Sequence, residues 1–496
     1  MVMPQRKIFL PLLGAAGFVV FLAGCTVGPK YERATAPTTA KWEVSEPWRQ
    51  SDPKDAVPKG EWWSIFHDDE LNDLEKEALA ANQTLQAATG NYHQARAAAA
   101  IQVATNFPTL GVSPSAERQR LSGNRPTNGA VVSLKPVTQS TYTLPFTAGY
   151  EVDLFGQRRR SIEAAEASYQ ASAANLENVR LVITAELAGD YFTLRQLDSE
   201  LGILNRTVDT LRRGLELVDS RHKGGVASGL DVAQEETLLQ TTRTQATLLL
   251  QQRKQFEDAI AVLVGRPAPD FHIPTKELNG EPPPIDLGLP SDLLERRPDI
   301  AQAERQMAVA NAEIGVAKAA YYPVVNLAAS GGFESSVITT LINGPSGLWS
   351  IGLSAVGTVF DGGRRRALND EARAAYDGQV AVYREDVLTG FQQVEDNLAA
   401  VRILENEAKV QDEAVVAAER SLDLSVTRYK GGVTSYLEVI TAQSAALSDE
   451  VTAVNILGRR MANTVLLIQA LGGGWDRSSL PERPECCGKL VSTNVK

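Results

Sequence analysis

Few side chains in this chain stand where they could do covalent chemistry, and the clearest is Cys25. It closes the run "LAGC" after a positive pair, Arg6 and Lys7, and an apolar stretch from Ile8 to Leu22. Leu22, Ala23, Gly24 and Cys25 match the lipidation signal of a bacterial lipoprotein, so residues 1–24 read as a signal peptide and Cys25 as the acylated residue. Each buried acyl methylene adds roughly 0.8 kcal/mol, so several chains anchor firmly to a membrane. Thr26, not Asp, follows the cysteine, as in lipoproteins sent to the outer membrane. The remaining cysteines, Cys486 and Cys487, are adjacent in a polar tail, and His67, His93, His222 and His272 are scattered. None of these makes a Cys/His metal spacing, and no phosphate-binding or dinucleotide fingerprint is present. Neither an enzyme nor a cofactor is expected beyond the covalent lipid. The net charge of −11 argues against nucleic acid as a partner.

The elements that would position a lipid anchor are written twice. "RHKGGVASGLDV" at 221–232 returns as "RYKGGVTSYLEV" at 428–439, with eight of twelve letters unchanged. "NFPTLGV" at 106–112 answers "YYPVVNL" at 321–327, "LFGQRRR" at 154–160 answers "FDGGRRR" at 360–366, and "AVLVG" at 261–265 answers "IQALG" at 468–472. The order is the same in both halves, so the chain reads as two repeats, 69–265 and 298–472. An N-terminal segment 25–68, a linker 266–297 ("GEPPPIDLGLP" within it) and a tail 473–496 surround them, and are expected to form a collar at mid-height.

Within each repeat, apolar residues three and four apart predict helices. Leu71 through Ala99 reads as one such helix, and Ile300 through Ala317 as its counterpart. Long helices are predicted at 157–222 and 364–430, each ~100 Å long, with return helices at 228–264 and 435–471. Helix 228–264 stacked on 298–321 would match one long helix in length. The "KGGV" turns end the long helices, with Gly for the left-handed residue and Ser228 and Ser435 as N-caps. Arg221 and Lys223, and Arg428 and Lys430, are the part such a turn does not need. Segments 107–116, 141–154, 322–333 and 348–360 alternate apolar with small polar residues and predict strands. Four strands cannot close a barrel, and open edges are not tolerated in lipid. Two chains would give eight strands, whose interior large side chains must fill. Here the inner face is Thr, Ser and Gly, so three chains and twelve strands are expected.

Together "CTVGPKY", "WWSIFHDDELNDLEKEALAANQTL" and "LPSDLLERRPDIAQAERQMAVANAEIGVAKAAYYP" resemble the outer membrane factor (TolC-like) family, in its NodT-type lipoprotein branch. The resemblance implies a mainly α fold with membrane β. A trimeric, 12-stranded outer-membrane barrel, four strands per chain, continues as a periplasmic α-helical coiled-coil barrel with a mixed equatorial collar. It implies an exit duct of a tripartite efflux pump, a homotrimer in contact with outer membrane lipid. The partners would be a periplasmic adaptor (membrane fusion) protein and an inner-membrane transporter of the resistance-nodulation-division type. By the same resemblance Leu437 falls on a hydrophobic gate ring and Glu438 on an acidic one. Thr441 stands where a second acid is found, and Thr434 where some members have a base. Tyr429 and Asp231 fall on a hydrogen-bonding pair between hairpins.

Gly224, Gly225, Val226, Gly431, Gly432 and Val433, with Arg221, Lys223, Arg428 and Lys430, form the tips expected to dock the adaptor. Arg158, Arg159, Arg160, Arg364, Arg365 and Arg366 lie where strand meets helix and are expected to meet lipid phosphates at the membrane interface, to line the duct or to form a solvated collar. A structural coiled-coil lipoprotein, or an adaptor with no channel of its own, remains the alternative. Cys25→Ser is expected to leave the fold intact and to weaken membrane retention. Palmitate labelling equal to wild type would refute lipidation at Cys25.

Overall fold

The computed structural model describes residues 26–38, 60–123, 135–285 and 293–482. Cys25, Cys486 and Cys487 lie outside the described residues. Each repeat contributes one helix of 67 residues, α3 (Gln157–Lys223) and α7 (Arg364–Lys430), and one return helix of 35, α4 (Gly229–Leu263) and α8 (Tyr436–Ala470). The first repeat opens with α1 (Asp69–Ala81) and α2 (Gln83–Ala104), and the second with a short turn α5 (Leu293–Arg296) and α6 (Pro298–Ala319).

The continuous helix expected from Leu71 to Ala99 is broken at Asn82, whose backbone is extended. The break does work that periodicity cannot report. Asn82 caps α2 through Leu85 N (3.0 Å), and its amide donates to Leu263 O at the end of α4 (2.8 Å). The second repeat does the same with another residue type, since Arg297 donates to Ala470 O (3.2 Å) just before α6. Gly265 and Gly472 follow the two return helices in the left-handed region. A Cβ there would collide with Ala81 O and Arg296 O respectively. The return helix of each repeat therefore stacks on the rim helix of its own repeat, α4 on α2 and α8 on α6. The cross-repeat stacking of 228–264 on 298–321 is corrected. Spacing alone gave matching lengths for either pairing, and only the capping side chains distinguish them.

The β elements are β1 (Thr109–Val112), β2 (Ser115–Leu121), β3 (Val137–Val152), β4 (Val324–Ser335) and β5 (Gly347–Val356). β1 and β2 are one strand in register, both antiparallel to β3, interrupted where Ser113–Pro114 faces Pro145. Two prolines remove the N–H groups that the ladder would need there. β3 pairs with β4, which joins the repeats, and β4 with β5, giving one antiparallel sheet of four strand positions. Gly332 faces Pro145, where any Cβ would strike Leu144 O. One face carries Leu110, Val112, Leu144, Phe146, Tyr150, Leu327, Phe333, Trp349, Ile351 and Leu353, and the other Thr109, Thr143, Thr147, Ser330, Ser350 and Ser354. Trp349 is 81% exposed and Leu110 82%, so the apolar face is left uncovered by the described residues. Leu144 to Val152 spans ~27 Å, close to a hydrocarbon core. The free edges of β1–β2 and β5 have no partner among the described residues. Among the same residues no helix is long and apolar enough to cross a membrane.

The largest core lies at mid-length of the long helices, where Trp62, Trp63, Leu71, Tyr191, Phe192, Ile273, Met307, Tyr383, Phe391 and Met461 meet. A buried charge network pins the linker to it. Asp198 binds Arg195 (2.9 Å) and Arg253 (2.6 Å) and accepts from Lys276 N, while the two arginines reach Pro274 O and Ile273 O. Residues 26–38, expected in the collar, begin higher, as a strap descending from the sheet–helix junction to the mid-length core, on which Tyr31, Ala34 and Ala36 pack. Val27 N bonds Phe155 O, Asn311 donates to Pro29 O, and Tyr31 bonds Glu304. Lower down, Arg33 reaches Glu295 and Arg384 reaches Thr35 O. Asp198→Ala would remove the carboxylate shared by two buried guanidinium groups and leave Glu70 and Glu257 as their remaining acidic partners, so a loss of about 2–3 kcal/mol is expected. Denaturant unfolding followed by circular dichroism in detergent checks this, and a loss below about 1 kcal/mol would mean that the linker is held by packing alone.

Candidate functional site

Two regions collect the residues singled out above, and they lie at opposite ends of α3 and α7. At the sheet–helix junction the arginine triplets begin both long helices. Cations at a helix N-terminus oppose its dipole, yet each helix has a carboxylate just upstream. Asp153 accepts from Arg158 N (3.3 Å) and Arg159 N (3.0 Å) and pairs with the Arg159 side chain (3.2 Å). Asp361 accepts from Gly363 N (3.1 Å) and Arg365 N (3.2 Å) and pairs with Arg365 (2.6 Å). Sequence reasoning missed these two caps, although "VDLFGQRRR" and "VFDGGRRR" carry the signal.

The triplets then diverge. Arg158 bonds Thr105 O and Glu151, and Arg160 is buried, holding Val27 O (3.3 Å), Gly28 O (3.3 Å) and Glu163 (2.7 Å). Arg160 therefore clamps the strap and is not an interfacial cation, which corrects its assignment. It is enclosed because Gly28 and Gly315 leave room for its side chain. Arg364 and Arg366 are exposed beside Phe360 (87% exposed) and the half-open Tyr321 and Tyr322.

At the far end, each hairpin turns through a C-cap glycine, Gly224 or Gly431, and then a left-handed one, Gly225 or Gly432. Both left-handed glycines face open space, and Val226 and Val433 are about 70% exposed. Lys223 pairs with Asp219, while Arg428 and Lys430 are exposed. Arg221 differs from its repeat. Its guanidinium lies 4.7 Å from the Tyr429 ring centroid, so it ties the first tip to the second and is not a free docking cation.

Ser228 and Asp231 form a reciprocal capping box, whereas Ser435 makes no side-chain cap. Asp231 thus bonds Ser228 N (3.0 Å), and the buried Tyr429 hydroxyl has no partner among the described residues. The expected Tyr429–Asp231 hydrogen bond is absent within the chain. Tyr429 instead packs on Tyr436 (4.8 Å between centroids), with Val218 and Val439. Helix α8 turns Tyr436, Val439 and Ala442 inward, which leaves Leu437, Glu438 and Thr441 together on its exposed side. Leu437 is 54% exposed, and Thr441 bonds back to Leu437 O (2.8 Å). Thr434, just before the helix, has a buried hydroxyl oxygen without a partner among the described residues.

Sequence reasoning also missed a third contact, one turn further from the tip. Glu235 is fully buried against Gly214 and the Tyr436 hydroxyl. Burial pushes its carboxyl up to about 7. Burial, and then the charge of Glu235, also push the Tyr436 phenol up. No His/Cys/Asp/Glu group fit for a metal occurs among the described residues.

An apolar-faced open sheet, continued by paired helices ~100 Å long that end in tight tips, defines a chain that sits in a membrane by its sheet and reaches away from it by its helices. The chain belongs to the outer membrane efflux protein family, whose model matches residues 74–266 and 289–473. It is 32% identical to a toluene efflux pump outer membrane protein, TtgF, of Pseudomonas putida, over 93% of this chain and 96% of that one. It is also 32% identical to the pyoverdine export outer membrane protein OpmQ of Pseudomonas aeruginosa, over 86% and 91%. The solved outer-membrane channel OprN superposes with a TM-score of 0.82 at 27% identity, covering 91% of this chain and all of that one. The protein is accordingly an outer-membrane efflux component, and its expected mainly helical fold with a membrane sheet and its outer-membrane location hold.

Leu437→Ala combined with Glu438→Gln is expected to raise single-channel conductance in planar bilayers several-fold and to blunt block by divalent cations. Wild-type conductance and block would place the constriction elsewhere.

Proposed function

We propose that three copies of this chain close their four-stranded sheets into one twelve-stranded barrel and their helices into a periplasmic cylinder. The duct passes drugs or other small molecules out of the cell. The observation that carries this reading is the sheet itself, with one apolar face, one small polar face and two edges without partners among the described residues. Unpaired backbone groups cannot face hydrocarbon, so another chain must supply their partners. Three chains give a lumen wide enough for the Thr, Ser and Gly face to line water. The protein itself carries out no catalysis.

Cys25 carries the acyl chains in this reading, after removal of residues 1–24. The strap supports it. Thr26 packs on Gly156, and Val27 N donates to Phe155 O, whose ring stacks on Tyr322. A lipid on the preceding residue therefore enters the membrane at the barrel rim. Arg364 and Arg366 meet lipid phosphates at the same level. The tips dock a periplasmic adaptor, and an inner-membrane transporter of the resistance-nodulation-division type supplies the energy. Toluene and pyoverdine, in the names of relatives, fix only the breadth of cargo such ducts carry.

Expression in a strain lacking its own outer-membrane efflux channels, together with the matching adaptor and transporter, tests this reading. Resistance to toxic small molecules is expected to rise several-fold. Replacing Gly225 and Gly432 by Trp is expected to abolish that gain and crosslinking to the adaptor while the protein remains folded in the outer membrane. Unchanged resistance and crosslinking would remove the tips from the docking surface.

A further inference from the structure

The two repeats agree in most of their parts but not at Glu235. Its counterpart in the second repeat is Ala442, and the counterpart of Gly214 is Ser421. A carboxylate has therefore been placed once, fully buried, between the hairpins of one chain. Gly214 on α3 leaves the space, since a Cβ there would overlap Glu235 Oε1 and approach the Tyr436 hydroxyl at 3.3 Å. Neither carboxylate oxygen has a hydrogen-bond partner that satisfies normal geometry among the described residues. Tyr436 is the first residue of α8, and Leu437 and Glu438 follow it directly.

We propose that Glu235 is the positioning residue that seats Tyr436 against Gly214, holding the start of α8 in its closed packing while protonated and releasing it on ionisation. The proposal rests on Leu437 and Glu438 being the gate. A neutral carboxyl can both donate to and accept from the Tyr436 hydroxyl, whereas a carboxylate enclosed by apolar groups loses its hydration. The other groups at the contact do not neutralise it. Tyr429 on α7 is uncharged, Arg221 on α3 lies over the Tyr429 ring, and Asp231, one turn away on α4, adds negative charge.

The direction with pH follows from these surroundings. The carboxyl is raised from its usual 4.5 to about 7 in the packed state. An opened state in which water reaches Glu235 loses its proton first, so closure is fully favoured below the usual value and weakens as pH rises towards 7. Partial solvation of the open state limits the change to roughly a hundredfold per chain.

Conductance of the purified full-length protein in planar bilayers between pH 5 and 8 tests the proposal. Wild type should open more as pH rises. Glu235→Gln keeps the neutral shape and should stay at the low-conductance level with a flat profile. Glu235→Asp should restore a pH dependence with a displaced midpoint. Gly214→Ala should raise conductance at acidic pH by expelling the carboxyl, with helix content unchanged by circular dichroism. A wild-type profile in Glu235→Gln, or in Gly214→Ala, overturns the proposal. Unchanged conductance in Leu437→Ala with Glu438→Gln overturns the gate assignment instead, and with it the route from Glu235 to the constriction.

Discussion

A helix that stops inside a wall leaves its last carbonyls and the next helix's first amides without partners, and this constraint organises the middle of the molecule. Two helices of 67 residues run unbroken, but the walls beside them are assembled from helices of 35 and 22 residues placed end to end. Each splice needs a polar side chain to bridge the ends and a glycine to let the backbones touch. Asn82 with Gly265 does this in one repeat, and Arg297 with Gly472 in the other. The core, the buried charge network and the linker all gather at this height, because it is where chain ends must be covered.

The repeats share an architecture and divide the labour. At the rim, the first arginine triplet is spent on the strap and on its own carboxylates, while the second leaves Arg364 and Arg366 to solvent. At the tips, the first hairpin supplies Arg221 and Glu235, and the second supplies Tyr429, Tyr436 and the Leu437 face. A duplicated chain can hold one half still and let the other respond. The contacts between the halves at the tips then decide what moves, and they are chemically distinct.

The sheet shows the same economy. Pro114 and Pro145 stand together where one strand is interrupted, and Gly332 lies beneath them so that the next strand can still approach. Across the middle of the sheet, from Phe146 to Val152 and through the facing residues 325–331 and 349–355, the alternation keeps one face apolar and the other small or polar.

Much of this was legible in the sequence. The period-3.6 pattern gave the long helices almost to the residue and the period-two pattern gave the strand positions with ends displaced by several residues, because those patterns report which side of an element is dry and not where pairing stops. The internal repeat gave the two hairpins and their turns, because a left-handed position demands glycine wherever it recurs. Leu437 and Glu438 could be singled out by resemblance. What periodicity could not report was which helix end meets which, because equal lengths permit several stackings. Nor could it report that Arg160 would be buried and Arg364 exposed, since the two triplets are identical in type. Asp231, expected to partner Tyr429, is taken up by its capping bond, and nothing in the helical pattern singles out Glu235. Its burial depends on a glycine 21 positions away and a tyrosine in the other repeat, and only the packing of three helices brings those together.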